Sequence, residues 1–256
     1  MKMNRKYLIF LITLNLIFIG FVDAQKNPKS FELPKLKRSE EIVCHKAYCL
    51  VYSEDHEQAK WVAYVLKLEM LNGDAKRSNK FKEDPKIKTK SANDNDYKSS
   101  GYDRGHLAPA GDMSFSEQAM QESFYYSNIS PQEPSFNRGI WKKLESEVRS
   151  YVEYLNEIYI VTGPVLTEGL PEIGENGVAI PEEYYKAALF VSDTCVEAIA
   201  FIMPNKKISS ESVYNYAISV NELEKKTKIN FFHNLPFFVE RSVEKRVNIE
   251  FWENLK

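Results

Sequence analysis

The residues best suited to chemistry lie in one short stretch, Asp103-Arg104-Gly105-His106, which continues into Leu107-Ala108-Pro109. It places one of the four histidines of the chain beside a carboxylate, a guanidinium and a glycine. An imidazole with an ordinary pKa of about 6.5 is neutral near physiological pH and can accept a proton from water. Arginine binds phosphate through two parallel hydrogen bonds. The stretch therefore predicts an active site that activates water next to a phosphate.

A second polar group lies on the longest predicted helix, Phe136 to Leu155. Apolar residues recur there at spacings of four and three, which predicts one buried helix face; they are Ile140, Leu144, Val148, Val152 and Leu155. At about 100° per residue, Asn137, Glu145 and Arg149 project within one broad sector of this helix. An amide oxygen can bind a hard divalent cation and a carboxylate can hold the waters of that cation. Together with His106, these residues predict a site that cleaves phosphodiesters.

Predicted strands surround this helix along the chain. Alternating apolar residues favour a strand over Trp61 to Glu69. Ile158 to Thr162 is a short apolar run that ends at Gly-Pro, which is typical of a buried strand. Tyr184 to Val191 and Val196 to Met203 are apolar runs separated by a polar turn, and they predict a hairpin. The pattern thus predicts one domain that mixes helices and strands.

Other segments predict helices and a loop. Ser116 to Tyr126 fits a short helix, with Ser114 or Ser116 as its N-cap. A further helix is predicted to start at Ser219. The polar segment from Lys76 to Ser100 predicts a surface loop, and loops of that length inside a domain are often functional.

The first 24 residues have the features of a signal peptide. Lys2, Arg5 and Lys6 precede an uncharged apolar stretch from Tyr7 to Val22, which ends in small residues suited to cleavage. A membrane anchor is disfavoured, because the stretch is short of the roughly 20 residues that span a bilayer. We therefore expect residues 1–24 to be removed and the protein to be exported, either periplasmic or secreted, with no stable membrane association afterwards.

The remaining chain predicts a poorly ordered N-terminal segment, 25–42, and a single domain, 43–256. The formal net charge is −2 for the whole chain, and it becomes −4 without the three positive charges and one negative charge of the leader. Nucleic-acid-binding domains are commonly strongly basic. Any site for a polyanion must therefore be a local patch.

The three cysteines leave two alternatives open. In an exported protein Cys44 and Cys49 are close enough in sequence to pair, and an odd count leaves at least one free thiol. Inert, reduced cysteines are equally compatible with the sequence. His45 follows Cys44, but no second Cys/His pair has zinc-finger spacing, and so a structural zinc site is not expected.

The motif and the helix together resemble the DNA/RNA non-specific endonuclease family, the sugar-non-specific nucleases with a ββα-metal (His-Me finger) core that include endonuclease G. The resemblance is carried by residues 103–109, by Phe136-Asn137-Arg138-Gly139-Ile140-Trp141 and by Leu144-Glu145. Further similar segments follow in the same order along the chain: 61–64, 127–132, 160–164 and 180–181. The resemblance implies an α+β fold, with the ββα-metal core on a mixed, largely antiparallel sheet flanked by helices.

The resemblance also implies an activity and roles for individual residues. The activity is metal-dependent endonuclease cleavage of DNA and RNA that leaves 5′-phosphates. His106 would be the general base. Asn137 would be the direct protein ligand of Mg²⁺, for which Mn²⁺ is a possible substitute, and Glu145 would hold the ion through its bound waters. Contact with phosphate is implied for Arg77 and Arg149. A supporting role in the site is implied for the other matching residues, which are Arg104, Asp103, Gly105 and Asn128.

Structural roles are an alternative for each of these residues. Asn137 could serve only as a helix cap, and Glu145 and Arg149 could form an exposed ion pair along the helix. Arg77 could be a solvated surface charge. For the whole protein, the alternatives are a catalytically silent module that binds nucleic acid or a partner, and a phosphodiesterase with another substrate. The presence of His106 with the predicted metal-binding residues favours an enzyme, because binding alone needs no base beside a metal.

Overall fold

The architecture is an antiparallel sheet covered on both faces. The computed structural model describes residues 30–89, 91–209 and 212–255, so the predicted signal peptide lies outside the described residues. The strands are β1 (Ile42–Cys44), β2 (Cys49–Ser53), β3 (Gln58–Lys67), β4 (Asp103–His106), β5 (Ile129–Gln132), β6 (Glu157–Pro164), β7 (Glu172–Ile173), β8 (Val178–Ala179), β9 (Glu183–Val191), β10 (Val196–Pro204) and β11 (Ala217–Ile218). The helices are α1 (Asp94–Tyr97), α2 (Glu117–Glu122), α3 (Pro134–Phe136), α4 (Lys142–Leu155), α5 (Val220–Thr227), α6 (Phe237–Val243) and α7 (Ile249–Glu253).

Seven strands form the main sheet, in the order β1-β2-β3-β6-β9-β10-β11, and each neighbouring pair is antiparallel. This confirms the predicted α+β class, the buried strand β6 and the hairpin β9–β10. The predicted strand at Trp61 begins earlier, at Gln58, and ends at Lys67. Alternate residues of β3 enter different hydrophobic clusters, because both faces of this central strand are buried.

Each face of the sheet has its own apolar layer. On one face α4 packs through Leu144, Val148 and Val152, which belong to the same cluster as Tyr64 and Leu66 of β3. The other face is covered by residues from α5, α6 and the segment between them; these include Val220, Leu223, Phe231, Phe232 and Val243. The first layer therefore fixes α4 against the sheet, and α4 is the helix on which the predicted site depends.

A separate two-stranded ribbon precedes α4. In it β4 pairs with β5, with Asp103 opposite Gln132 and His106 opposite Ile129. A Cβ at Gly105 would lie 2.2 Å from the buried side chain of Gln132, so this side chain occupies the space that glycine leaves free. The order of ribbon and helix is the ββα arrangement that the sequence implied.

The predicted helix from Phe136 to Leu155 is interrupted, and this part of the prediction was wrong. A π-helical turn, Asn137–Trp141, separates the short α3 from α4, and Gly139 has a non-helical conformation, with φ −103° and ψ −109°. Glycine tolerates such angles where other residues do not. The regular periodicity of apolar residues continued across this break and concealed it.

Two other predicted segments differ in detail. The helix predicted over Ser116 to Tyr126 is Glu117–Glu122, and the Ser116 side chain caps it by accepting from the Ala119 backbone. The chain leaves this helix early because the Tyr126 backbone N–H donates to the carbonyl of Lys82. The predicted surface loop from 76 to 100 contains α1 and buries Ile87, Ala92 and Tyr97.

The N-terminal described residues are attached to the domain. Phe31 is buried and its ring meets that of Tyr159 edge-on, at 5.3 Å between centroids. Cys44 and Cys49 form a disulfide that closes the β1–β2 turn, and Cys195 is a free thiol. Among the described residues, no helix combines the length and apolar character needed to cross a membrane.

Gly73 packs against the backbone of Ser114, and we expect Gly73→Ala to destabilise the domain. An added Cβ would lie 2.1 Å from the Ser114 carbonyl carbon and oxygen, and no side-chain rotation relieves a clash with backbone. Overpacking of this kind lowers the free energy of unfolding by about 1–3 kcal/mol. Urea denaturation measures it, with the exposed neighbour Asn72→Ala as the control. A free energy of unfolding equal to that of the control would contradict the packing seen here.

Candidate active site

The predicted functional residues converge on one cleft of about 550 Å³. Its walls come from the end of β4 and the turn after it, from the π-helical turn, from α4 and from the segment around Arg77. The lining residues are Arg77, Arg104, His106, Pro109, Ala110, Gly111, Asn137, Arg138, Lys142, Glu145, Ser146 and Arg149. Six of the nine predicted site residues are among them, while Asp103, Gly105 and Asn128 do not line this cleft.

His106 ends β4 and its ring is enclosed by aromatic side chains. The ring meets Phe124 edge-on at 4.7 Å and lies 5.7 Å from Phe81, between centroids, and the residue is only 8% exposed. Burial lowers the pKa of His106 to about 3, and the positive charges of Arg77 and Arg104 contribute to this lowering. The imidazole is therefore neutral across the physiological range, which is the state that accepts a proton.

Asp103 joins the ribbon to the turn before α4. Its carboxylate accepts one hydrogen bond from Asn137 Nδ2, at 2.8 Å. It accepts two more from Arg138, from Nε at 2.8 Å and from Nη2 at 2.5 Å. Because the Asn137 amide donates toward Asp103, its carbonyl oxygen is left for another partner. Asp103 therefore fixes the orientation of the Asn137 amide.

Asp112 holds the arginine of α4 in place. It is 2% exposed and accepts from Arg149 Nε at 2.7 Å through Oδ1 and from the Tyr64 hydroxyl at 2.8 Å through Oδ2. Gly111 gives this arginine room, since a Cβ there would lie 2.8 Å from an Arg149 nitrogen. The buried carboxylate of Asp112 therefore holds the Arg149 guanidinium at the cleft.

Glu145 interacts electrostatically with a buried lysine, Lys186. Burial raises the pKa of Glu145, and the positive charge of Lys186 opposes that rise. Lys186 lies on β9, is 1% exposed, and its Nζ sits 5.2 Å from the centre of the Trp141 ring. Burial lowers the pKa of this lysine, while Glu145 opposes the fall. Each group thus helps the other to stay ionised in a setting that disfavours charge.

Two further arginines are supported by aromatic rings. The Arg104 guanidinium lies 4.1 Å from the centre of the Phe81 ring and donates to Asp94 at 2.6 Å. Arg77 is exposed, lies 5.0 Å from the centre of the Phe124 ring and donates to Asn79 at 2.9 Å. The same rings that enclose His106 thereby position two cations near it.

Asn128 supports the site from beneath. It is fully buried, its amide nitrogen donates to the carbonyls of Ala108 and Ser123, and its oxygen accepts from the Ala108 backbone. These bonds fix the chain just after His106. Asn128 therefore acts on the site through backbone geometry.

The donor set suits a cation bound by few protein ligands. Within the described residues, no cluster of three or more His, Cys, Asp or Glu side chains is arranged to hold a metal. One oriented amide oxygen and one nearby carboxylate remain, Asn137 and Glu145. Mg²⁺ keeps several waters and is commonly held by one or two protein groups together with substrate phosphate, so these residues fit such an ion.

Sequence reasoning missed several residues of the site. Asp112 lies six positions after His106, and Arg138 follows Asn137 directly, so proximity to the motif was the available signal. Lys186 was signalled as well, by a single lysine within the apolar run of β9. The sequence pattern does not show that the fold brings Lys186 close enough to Glu145 for their charges to interact.

Comparisons with known proteins agree on one family. A family model described as DNA/RNA non-specific endonuclease matches residues 31–238. The chain is 36% identical over 201 residues to a mitochondrial nuclease, EXOG, of Danio rerio; the match covers 72% of this chain and 59% of that protein. The chain thus spans less than two thirds of that relative.

Two other relatives are covered more completely. A nuclease of Nostoc sp. is 30% identical over 234 residues, which covers 87% of this chain and 84% of that protein. The crystal structure of an EndoG/EndoGI complex contains a chain that superposes with a TM-score of 0.73 at 29% identity, over 81% of this chain and 90% of that one.

The enclosure of His106 predicts an unusual titration. The free imidazole takes up a proton at a pH of about 6.5, whereas burial and the two arginines keep His106 neutral far below that pH. Because the unfolded state binds the proton first, His106 makes the domain less stable as pH falls below about 6.5. Ring ¹⁵N NMR from about pH 5 to about pH 8 tests this, with His106→Gln identifying the signal. A titration midpoint near the ordinary value would contradict it.

Proposed function

This chain belongs to the DNA/RNA non-specific endonuclease family, and from that membership we propose that it hydrolyses phosphodiester bonds of DNA and RNA with little sequence specificity. One observation supports a specific chemical mechanism. A neutral, buried histidine, His106, lines the same cleft as the oriented amide of Asn137 and as five cationic side chains. These are the groups that hydrolysis of a phosphodiester by water requires.

In this proposal His106 is the general base. It takes a proton from a water molecule as the water oxygen attacks phosphorus, the bond from phosphorus to the 3′ oxygen breaks, and the product strand carries a 5′-phosphate. The 3′ oxygen leaves with a proton supplied from solvent. General-base catalysis typically accelerates a reaction about 10²–10⁴-fold, and we assign a rate enhancement of this size to His106.

Asn137 and Glu145 would hold a divalent cation, Mg²⁺ in our proposal, with Mn²⁺ as an alternative. When bound, such an ion stabilises negative charge on the phosphate and the leaving oxygen. Asp103 keeps the amide oxygen of Asn137 directed away from itself by accepting from its nitrogen. Lys186 favours the ionised form of Glu145.

The charge of the cleft supports binding of phosphates. Its lining has five cationic side chains and a single carboxylate, although the whole chain has a net charge of −2; the cations are Arg77, Arg104, Arg138, Lys142 and Arg149. Phosphate contacts fix the position of a strand but carry no direct sequence information. We therefore propose capture of either polymer through its backbone.

We also propose that the enzyme is exported and works in the periplasm or outside the cell, without stable membrane association. The support is the leader-like sequence of residues 1–24. The Cys44–Cys49 disulfide is consistent with it, because disulfides persist in oxidising compartments.

His106→Ala is expected to reduce kcat/KM on both plasmid DNA and RNA by about 10²–10⁴-fold, because the base is removed. Chelation of divalent cations by EDTA is expected to abolish cleavage by the unaltered protein. His233→Ala is the matched control, since His233 lines neither the cleft nor its walls. Full activity of His106→Ala would refute the assignment of the base, and absence of cleavage by the unaltered protein would favour a silent binding module.

Asp103→Ala is expected to weaken cation binding by about 10–100-fold, which is the usual effect of removing a group that orients a metal ligand. The reason is that Asn137 loses the acceptor that directs its amide. Binding of Mn²⁺, followed by electron paramagnetic resonance without substrate, measures the effect. His106→Ala should keep the affinity of the unaltered protein. Equal affinities for the two variants would show that Asp103 does not orient the ligand.

A further inference from the structure

A second cleft of about 590 Å³ lies beside the catalytic one. It is lined by Asp74, Ala75, Lys76, Ser78, Lys80, Lys82, Glu117, Met120 and Gln121. The two clefts share a wall, the segment from Ala75 to Lys82. Resting on the proposed function, we propose that this second cleft is a substrate subsite, in which lysines bind phosphates of the same strand beyond the bond that is cleaved.

Neighbouring residues of the wall line different clefts. Arg77 lines the catalytic cleft, whereas Lys76 and Ser78 on either side of it line the second one. The segment is not a regular strand, since Asn79 has a positive φ of 52°. A nucleic-acid strand that crosses this wall can contact Arg77 on one side and Lys76 on the other.

The wall is held at both ends. The Ala75 backbone N–H donates to the Ser114 carbonyl, and the Lys82 backbone pairs with Phe124 and Tyr126. Beneath it, Phe81 and Phe124 pack with 5.0 Å between ring centroids and belong to one cluster with Met120. The same rings contact His106. The lysines are thus mounted on a segment whose position is tied to the catalytic base.

The lysines are available to a ligand. Lys76, Lys80 and Lys82 are exposed, and none of them forms an ion pair with a carboxylate in the part of the chain that the structure describes. Two carboxylates, Asp74 and Glu117, also line this cleft, so that its formal charge is only one positive unit. That balance fits a subsite that prolongs contact with a strand already held by the strongly positive catalytic cleft.

The test removes the three lysine charges with Lys76→Gln, Lys80→Gln and Lys82→Gln together. The matched control removes three exposed lysines that line neither cleft: Lys225, Lys228 and Lys245. Both triple variants are measured in the otherwise complete protein. The substrates are a single-stranded oligonucleotide of about 16 nucleotides and a dinucleotide with one phosphodiester bond.

We expect the second-cleft variant to raise KM for the long oligonucleotide several-fold and to leave dinucleotide hydrolysis unchanged. Each phosphate of a single strand that a protein neutralises contributes ~0.7 to the slope of log KM against log salt concentration. Loss of three lysines should therefore lower this slope by about 2. The control variant should match the unaltered protein. An unchanged KM for the long substrate, or an equal loss on both substrates, would overturn the subsite.

A binding measurement separates this proposal from the proposed function. Fluorescence anisotropy of the labelled long oligonucleotide is recorded in the His106→Ala background, where cleavage is not needed for the signal. Affinity lowered several-fold by the lysine substitutions supports the subsite even if the unaltered protein cleaves neither substrate. Equal affinity with and without the three lysines refutes it, whatever the enzyme activity.

Discussion

The candidate site depends on the bonds that Asp103 makes to Asn137 and Arg138. They connect the strand that ends in His106 to the turn that leads into α4. Without that connection, the base and the proposed cation ligand would sit on elements that meet only through packing. Groups that must act together within a few tenths of an ångström need such direct support. Asn137 is the first residue of the π-helical turn, and its amide nitrogen donates to Asp103 from there.

Electrostatic balance beneath the cleft is the second constraint. Lys186 is fully buried and Glu145 is partly buried, and burial disfavours the ionised form of each. Their opposite charges favour the ionised form of each other, while Asp112 anchors Arg149 through a hydrogen bond of 2.7 Å. The site therefore holds a carboxylate and a guanidinium at fixed positions instead of letting them pair with one another. This arrangement leaves both groups available to a cation and a phosphate.

The sequence predicted much of this structure, and its failures have physical causes. Long periodic segments such as β6, β9 and α4 were recognisable because burial of one or two faces imposes a pattern on the residues. The break before α4 was missed, since apolar spacing records burial and not backbone hydrogen bonding. The wall from Ala75 to Lys82 falls largely in a segment whose polarity predicts a loop. Its position is fixed by long-range backbone bonds to Ser114 and Phe124, which the local sequence does not reveal. Lys186 was overlooked for a related reason, as its partner is remote in sequence.

The charge distribution explains why capture of a strand must be local. Screening confines electrostatic attraction to about 8–10 Å at physiological salt, and the net charge of −2 offers no long-range attraction for a polyanion. Cations can then hold a strand only where several lie close together on a rigid surface. The catalytic cleft meets this condition because Asp103, Asp112 and Asp94 fix its arginines from behind while leaving the cleft side positive. A fold with a slightly acidic surface is thus compatible with a polyanionic substrate, provided that its cations are immobilised where the strand lies.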